Sequence, residues 1–205
     1  MNNLQTHPGV SELSLVPRIG GADPAFSGVA GGATILITAN QIQYEQGTTF
    51  DPLSEGYKLR AKMGHIHDQM EEFFSGFGHL TAIGVEGFDV VKEYETIYGE
   101  TRTRRLQAWS DMMYETKRAL APLGTNPNFV KMYDVGNIRQ LISFNRNASK
   151  VLIADIIELM VEGDIERVEG HHITDAIAVA VMRAYDEGLL IHPDEMVLDL
   201  RNFEY

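Results

Sequence analysis

The sequence predicts an α/β fold in which a mixed sheet of five strands is flanked by helices. Three observations predict it. Short apolar runs crowd the first quarter of the chain, helical periodicity and short apolar runs alternate after that, and carboxylates close two of the runs. With 205 residues, 44% hydrophobic and 22% charged, the chain has material for one domain with a full core, so no second domain is required.

The elements follow in order. Residues 13–22 read as a strand that ends at a tight, exposed corner, Gly20-Gly21-Ala22-Asp23-Pro24. Residues 27–30 turn through Gly31-Gly32 into a strand over 33–38, and 42–49 supplies the next, so the three strands suggest a meander. Asp51-Pro52 interrupts. A helix then runs from Ser54 to about Gly76, with Leu59, Met63, Ile66, Met70, Phe73 and Phe77 recurring in steps of three and four. Such a stripe is more often the core face of a helix on a sheet than a dimer seam. A strand over 81–85 is closed by Glu86, and Gly87 behind it leaves room for close approach. A helix over 102–120 is stopped by Pro122 and Gly124. Residues 129–133 form the fifth strand, and helices over 137–142, 149–161 and 173–187 complete the series. The domain is expected over 13–188, after a flexible segment over 1–12. An acidic extension over 189–205, with Val197, Leu198, Leu200 and Phe203, is expected to pack on it.

Asp23 and Glu86 thus stand at two strand mouths. His172 and Asp175 are three apart at the start of an alanine-rich helix, where positions i and i+3 share a face. Each has an ordinary reading by itself: Asp23 as turn chemistry before proline, Glu86 as a solvated strand end, Asp175 as a first-turn carboxylate favoured by the helix dipole, with His172 near the N-cap. As an ordered set they point to a divalent-metal nuclease. The chain has no cysteine, so oxygen and imidazole must hold any metal, and carboxylates suit Mg²⁺ and Mn²⁺. His171, His65, His67 and His79 read as surface residues.

A net charge of -12 weighs against a nucleic-acid enzyme, because Lys and Arg neutralising phosphates supply much of the affinity. The basic residues are clustered, however: Arg102, Arg104 and Arg105, then Arg139, Arg146 and Lys150. A local patch steers DNA while the far surface stays acidic, although the first three serve equally well as a solvated helix face. No stretch approaches a membrane span, and residues 1–8 lack a basic and apolar leader. A cytoplasmic protein is expected, nucleoid-associated or virus-encoded.

The element order, with carboxylates ending the first and fourth strands and on the last helix, describes an RNase H-like fold. Within it, Gly21-Ala22-Asp23-Pro24-Ala25-Phe26-Ser27-Gly28-Val29 resembles the opening Gly-x-Asp-Pro-Gly segment of the RuvC family of Holliday junction resolvases, with Ala25 at the second glycine. Ile83-Gly84-Val85-Glu86 resembles that family's second acidic strand end. The segment His172-Ile173-Thr174-Asp175-Ala176-Ile177-Ala178-Val179-Ala180 resembles its closing motif. Residues 133–157 lie on the family without a gap. The resemblance covers about residues 14–187, and its strength is the ordered set.

The resemblance implies a homodimer that resolves four-way junctions and other branched DNA by paired nicks. The reaction would use two Mg²⁺ ions, replaceable by Mn²⁺ and about 3.5–4 Å apart, to activate water and stabilise the leaving oxygen. Asp23 would bridge both ions, Glu86 help hold one and Asp175 the other. His172 would complete that shell or handle a proton. Lys150 would contact the scissile phosphate and Arg139 the flanking strand. Phe88, two residues after Glu86 where the family's aromatic commonly comes three after, is a candidate for base stacking. Two alternatives remain open: a non-catalytic DNA-scaffolding relative, and an actin-like ATPase. The length argues against the second, since that architecture pairs two such domains.

Overall fold

Alternation along a strand decides which side of a sheet each residue serves, and here it sorts the chain into two separate cores. The computed structural model describes residues 16–24, 29–39, 41–54, 59–87, 99–166 and 171–190, apart from the side chains of Leu59 and Arg105. The elements are β1 (Arg18–Asp23), β2 (Ala30–Ile37), β3 (Ile42–Phe50), α1 (Leu59–Ser75), β4 (Ala82–Gly87), α2 (Glu100–Leu120), a 3-10 turn (Ala121–Leu123), β5 (Val130–Asp134), α3 (Val135–Ser143), α4 (Lys150–Met160), β6 (Val161–Glu162) and α5 (His172–Asp186). The strands lie in the order β5-β4-β1-β2-β3-β6. β1, β2 and β3 form an antiparallel meander, while β4 runs parallel to β1 and β5 parallel to β4.

On one face Ile19, Ala33 and Ile35 meet Ile138 of α3, Ile153 and Ile157 of α4, and the apolar side of α5. On the other, Ala22, Ala30, Ile83 and Val85 meet Ile66, Met70 and Phe74 of α1 and Leu120 of α2. Phe73 meets Phe50, Phe74 and Phe77 edge-on at centroid separations of 5.8, 5.0 and 5.2 Å, which closes the apolar face of α1. Met63, Ile66 and Met70 of the stripe expected on that helix are core, with Phe74 added to them.

Four expectations change. Gly31-Gly32 makes no turn; both glycines lie inside β2. Each is needed for clearance: a Cβ on Gly31 would fall 2.0 Å from the His172 carbonyl oxygen, and one on Gly32 2.7 Å from the Phe50 ring. The corner at Asp23 is not exposed, because Asp23 is the last residue of β1 and is buried. The space behind Glu86 is filled, since a Cβ on Gly87 would lie 2.6 Å from Met132 Cε. A sixth strand is present: Val161 and Glu162 pair in parallel with Ile42 and Gln43. Two residues carry no readable periodicity, so only the partner strand defines them.

Among the described residues no helix is long and apolar enough to cross a membrane. Of the expected extension, Leu189 and Leu190 pack against the α5 core, and 191–205 lie outside the described residues, as do residues 1–15.

Candidate active site

The site is assembled by three local features and one close approach. Ala22 of β1 pairs with Val85 of β4, so Asp23 and Glu86 come side by side at the carboxyl ends of neighbouring parallel strands. Both lie on the α5 face, because Gly21 and Gly84, two residues earlier in each strand, face that helix. Ser149 caps α4 by accepting from the Leu152 amide at 3.2 Å, which makes Lys150 the first residue of the helix. α5 begins after His171, a residue in the left-handed region at φ 60° whose carbonyl accepts from the Asp175 amide at 2.8 Å.

The close approach is made by glycine. A Cβ on Gly21 would stand 1.9 Å from the Ala176 carbonyl oxygen and 2.7 Å from the Ala180 amide nitrogen, so only glycine lets the α5 backbone lie on β1. Burial holds it there: Ile177 and Val179 are completely buried, each contributing about 1.5–3 kcal/mol. The helix start is thereby laid beside the end of β1. His172 Nδ1 lies 3.2 Å from Asp23 Oδ2, across 149 residues of chain. Lys150 Nζ donates to Asp175 Oδ2 in an ion pair.

Charge records the same convergence. Burial, then Asp23 and Asp175, push the Glu86 carboxyl up to about 8 against the opposing pull of Lys150 and Arg139. Burial and then Asp23 also raise Asp175, with Lys150 and His172 opposing. Burial opposes the charge on Lys150, but Asp175, Asp23 and Glu86 outweigh it and its pKa rises. Asp23, Glu86, His172, Asp175, Lys150 and Arg139 thus share one field.

Among the described residues no three His, Asp or Glu side chains already converge as a finished cation cage. Lys150 holds Asp175, and the His172 ring holds Asp23. The donor chemistry nevertheless fits a hard divalent ion. Burial first, and then the charges of Asp23 and Asp175, raise the Glu86 carboxyl, and a divalent charge offsets both once Lys150 releases Asp175.

The remaining candidates lie elsewhere. Met113 of α2 lies beside Gly87 at the end of β4, and Leu120 is in the core, so the first turns of the helix lie beyond the part that packs on the sheet. These turns carry exposed Arg102 and Arg104; Arg104 pairs with Glu100. Arg105 lies on the same helix, and Phe88 is outside the described residues. Arg146 is tied to Asp134 at 2.8 Å and to Asn137 at 2.9 Å, where it braces the start of α3.

His67 is not a surface residue: its Nε2 lies 2.9 Å from Thr116 Oγ1 in the seam between α1 and α2. Thr116 donates to the Met112 carbonyl, so it accepts from His67, and burial lowers the pKa of that imidazole. His171 is half-buried at the N-cap of α5, while His65 and His79 are exposed. Sequence reasoning also misses Arg183, whose signal is a lone arginine inside the apolar run over 176–184.

No protein-family model matches the chain, and no curated protein matches it in sequence. Solved structures do. Thermus thermophilus RuvC is 18% identical at a TM-score of 0.61, with 84% of this chain and 96% of that one covered. T. thermophilus RuvC in complex with Holliday junction substrate is 19% identical at 0.60, covering 83% and 94%. The yeast mitochondrial Holliday junction resolvase is 10% identical at 0.51, covering 87% of each chain. What these matches share with the chain is architecture, and its fold is the RuvC-like fold of Holliday junction resolvases.

Proposed function

We propose that the protein is a metal-dependent endonuclease that resolves Holliday junctions and other branched DNA by paired nicks leaving 5'-phosphate ends. One observation carries the reading: Asp23, Glu86 and Asp175 stand in one field at the end of β1, with a histidine and a lysine among them. Hydrolysis of a phosphodiester needs negative charge stabilised on the phosphorus oxygens and on the departing oxygen. Two Mg²⁺ ions would supply that stabilisation and an activated water, and Mn²⁺ has the same preference for oxygen. Asp23, Glu86 and Asp175 would hold them, with His172 completing the set or moving a proton at its imidazole.

Lys150 has a second task in this reading. Its ammonium pairs with Asp175 in the free protein, and on binding it turns to the scissile phosphate. Arg139 holds the flanking strand, while Arg102, Arg104 and Arg105 on the first turns of α2 bind the duplex arms. Phe88 stacks at the exchange point. A four-way junction has near two-fold symmetry, so paired nicks fit a homodimer with two sites. Two likenesses at 18 and 19% identity to RuvC support the fold on which this rests, and in the second of them RuvC is in complex with Holliday junction substrate.

The test is cleavage of a synthetic four-way junction, a fork and a linear duplex, with and without Mg²⁺. Asp23→Asn, Glu86→Gln and Asp175→Asn should each lower junction cleavage by about 10²-fold or more while binding persists. Retained cleavage in all three refutes the site. Junction binding without metal-dependent cleavage by the unaltered chain would instead favour a scaffolding protein. Light scattering at micromolar protein should give a dimer mass; a monomer alone would remove the paired-nick mechanism.

A further inference from the structure

Arg183 is 1% exposed, the largest fully buried side chain among the described residues, yet it lies far along α5 from the strand-end carboxylates. Its Nη1 donates to Tyr133 Oη at 3.2 Å and to Asp186 Oδ2 at 2.9 Å; its Nη2 donates to the Asn128 carbonyl at 2.6 Å and meets Glu187 Oε1 at 2.6 Å. Tyr133 Oη in turn donates to Asp186 Oδ2 at 2.8 Å, and Lys131 Nζ reaches the same oxygen at 2.6 Å. Only Nε is left without a partner. The cluster therefore binds the last turn of α5 to β5 and to the loop before it. Burying a guanidinium this fully is costly, and its geometry restricts where the helix end can lie.

That restriction matters because the rest of the α5 interface is a close fit over glycines that leaves little tolerance for a misplaced helix. Gly21, Gly31 and Gly84 face it from three strands; the Ala176 and Ala180 backbone lies over Gly21, the His172 carbonyl over Gly31 and Val179 over Gly84, so a displacement at the helix end is carried to the residues at its start. Tyr133 is also the residue beside Glu86 in the parallel pairing of β4 and β5. One phenol thus stands next to a site carboxylate at its strand position and grips α5 through its hydroxyl.

We infer that Arg183, Tyr133 and Asp186 are positioning residues: together they set where α5 stops along the glycine-lined face and so place Asp175 and His172 against Asp23 and Glu86. The rate effect rests on the nuclease reading, whereas the effect on helix position does not. A shift of about 1 Å at reacting groups lowers a rate by as much as about 10²-fold, which is the order of effect expected.

The experiment compares the unaltered chain with Tyr133→Phe, which removes one oxygen, and with Arg183→Met, which removes the charge. Crystal structures of the three should show α5 displaced along its axis in both variants, with the Asp175 Cα moved relative to the Asp23 Cα by roughly 1 Å. Unmoved α5 in Tyr133→Phe and in any folded Arg183→Met overturns the inference, whether or not any of the chains cuts DNA. In single-turnover cleavage under saturating protein, Tyr133→Phe should lower the rate about tenfold or more. Its junction affinity in Ca²⁺ should be unchanged. A variant that loses affinity and rate in parallel would have only a structural fault and would also overturn it. If the unaltered chain fails to cut, the functional reading falls and the displacement alone decides the inference.

Discussion

Glu86 shows how one residue reports a whole site. Its carboxyl is held at about 8 instead of near 4.5, first by burial and then by Asp23 and Asp175, so the folded chain takes up a proton that the unfolded chain gives up. Folded-state protonation stabilises most below about pH 4.5, and that stabilisation is lost as pH climbs to about 8. The metal-free protein should therefore melt at falling temperature as pH is raised through this window, and Mg²⁺ should flatten the slope. Glu86→Gln should remove much of the slope. Calorimetry at several pH values reads all three, and a slope unaltered by Glu86→Gln would show that the Glu86 carboxyl is not its source. Lys150 works against the same crowding from the start of α4, where the Ser149 cap makes it the first helical residue.

At the level of elements, α5 and the glycines beneath it form the unit on which the site depends. Adding a methyl group at Gly21 drives it to 1.9 Å from the Ala176 carbonyl, a backbone atom with no room to yield. Gly21→Ala should lower the thermal midpoint by about 2–12 °C, as overpacking of about 1–3 kcal/mol does in a domain of this size. Gly64→Ala is the control: nothing lies within 4 Å of that position in α1, so the same change should stabilise by up to about 1 kcal/mol through helix propensity. Equal melting of the two variants would contradict the close approach. The pair of β1 and β4 was legible as elements because each ends an apolar run in a carboxylate. Gly31 and Gly32 were not, since the same dipeptide that signals a turn also serves where two faces of a sheet each need clearance.

On the scale of the molecule, a chain of net charge -12 must bring phosphates to an acidic strand end. The first half of α2 offers a means, with Arg102 and Arg104 exposed on it. Arg102→Ala with Arg104→Ala should weaken junction binding and reduce the slope of log affinity against log salt by about 0.9 for each phosphate no longer neutralised. Fluorescence anisotropy across a salt series measures it. An unchanged slope would return these arginines to the role of a solvated helix face.

The sequence by itself determined the kind of fold, the order of its elements up to the two-residue β6, and the residue types at the strand ends and on the last helix. Those properties are local: periodicity, caps, breakers and the chemistry of a side chain are written within a few turns of chain. Tertiary structure alone decided that Asp23 is buried, that His172 meets it across 149 residues, that Lys150 pairs with Asp175, and that Arg183 is clamped to β5. These are contacts between segments remote in sequence, and their geometry is set by how closely backbones pack, which no local pattern encodes.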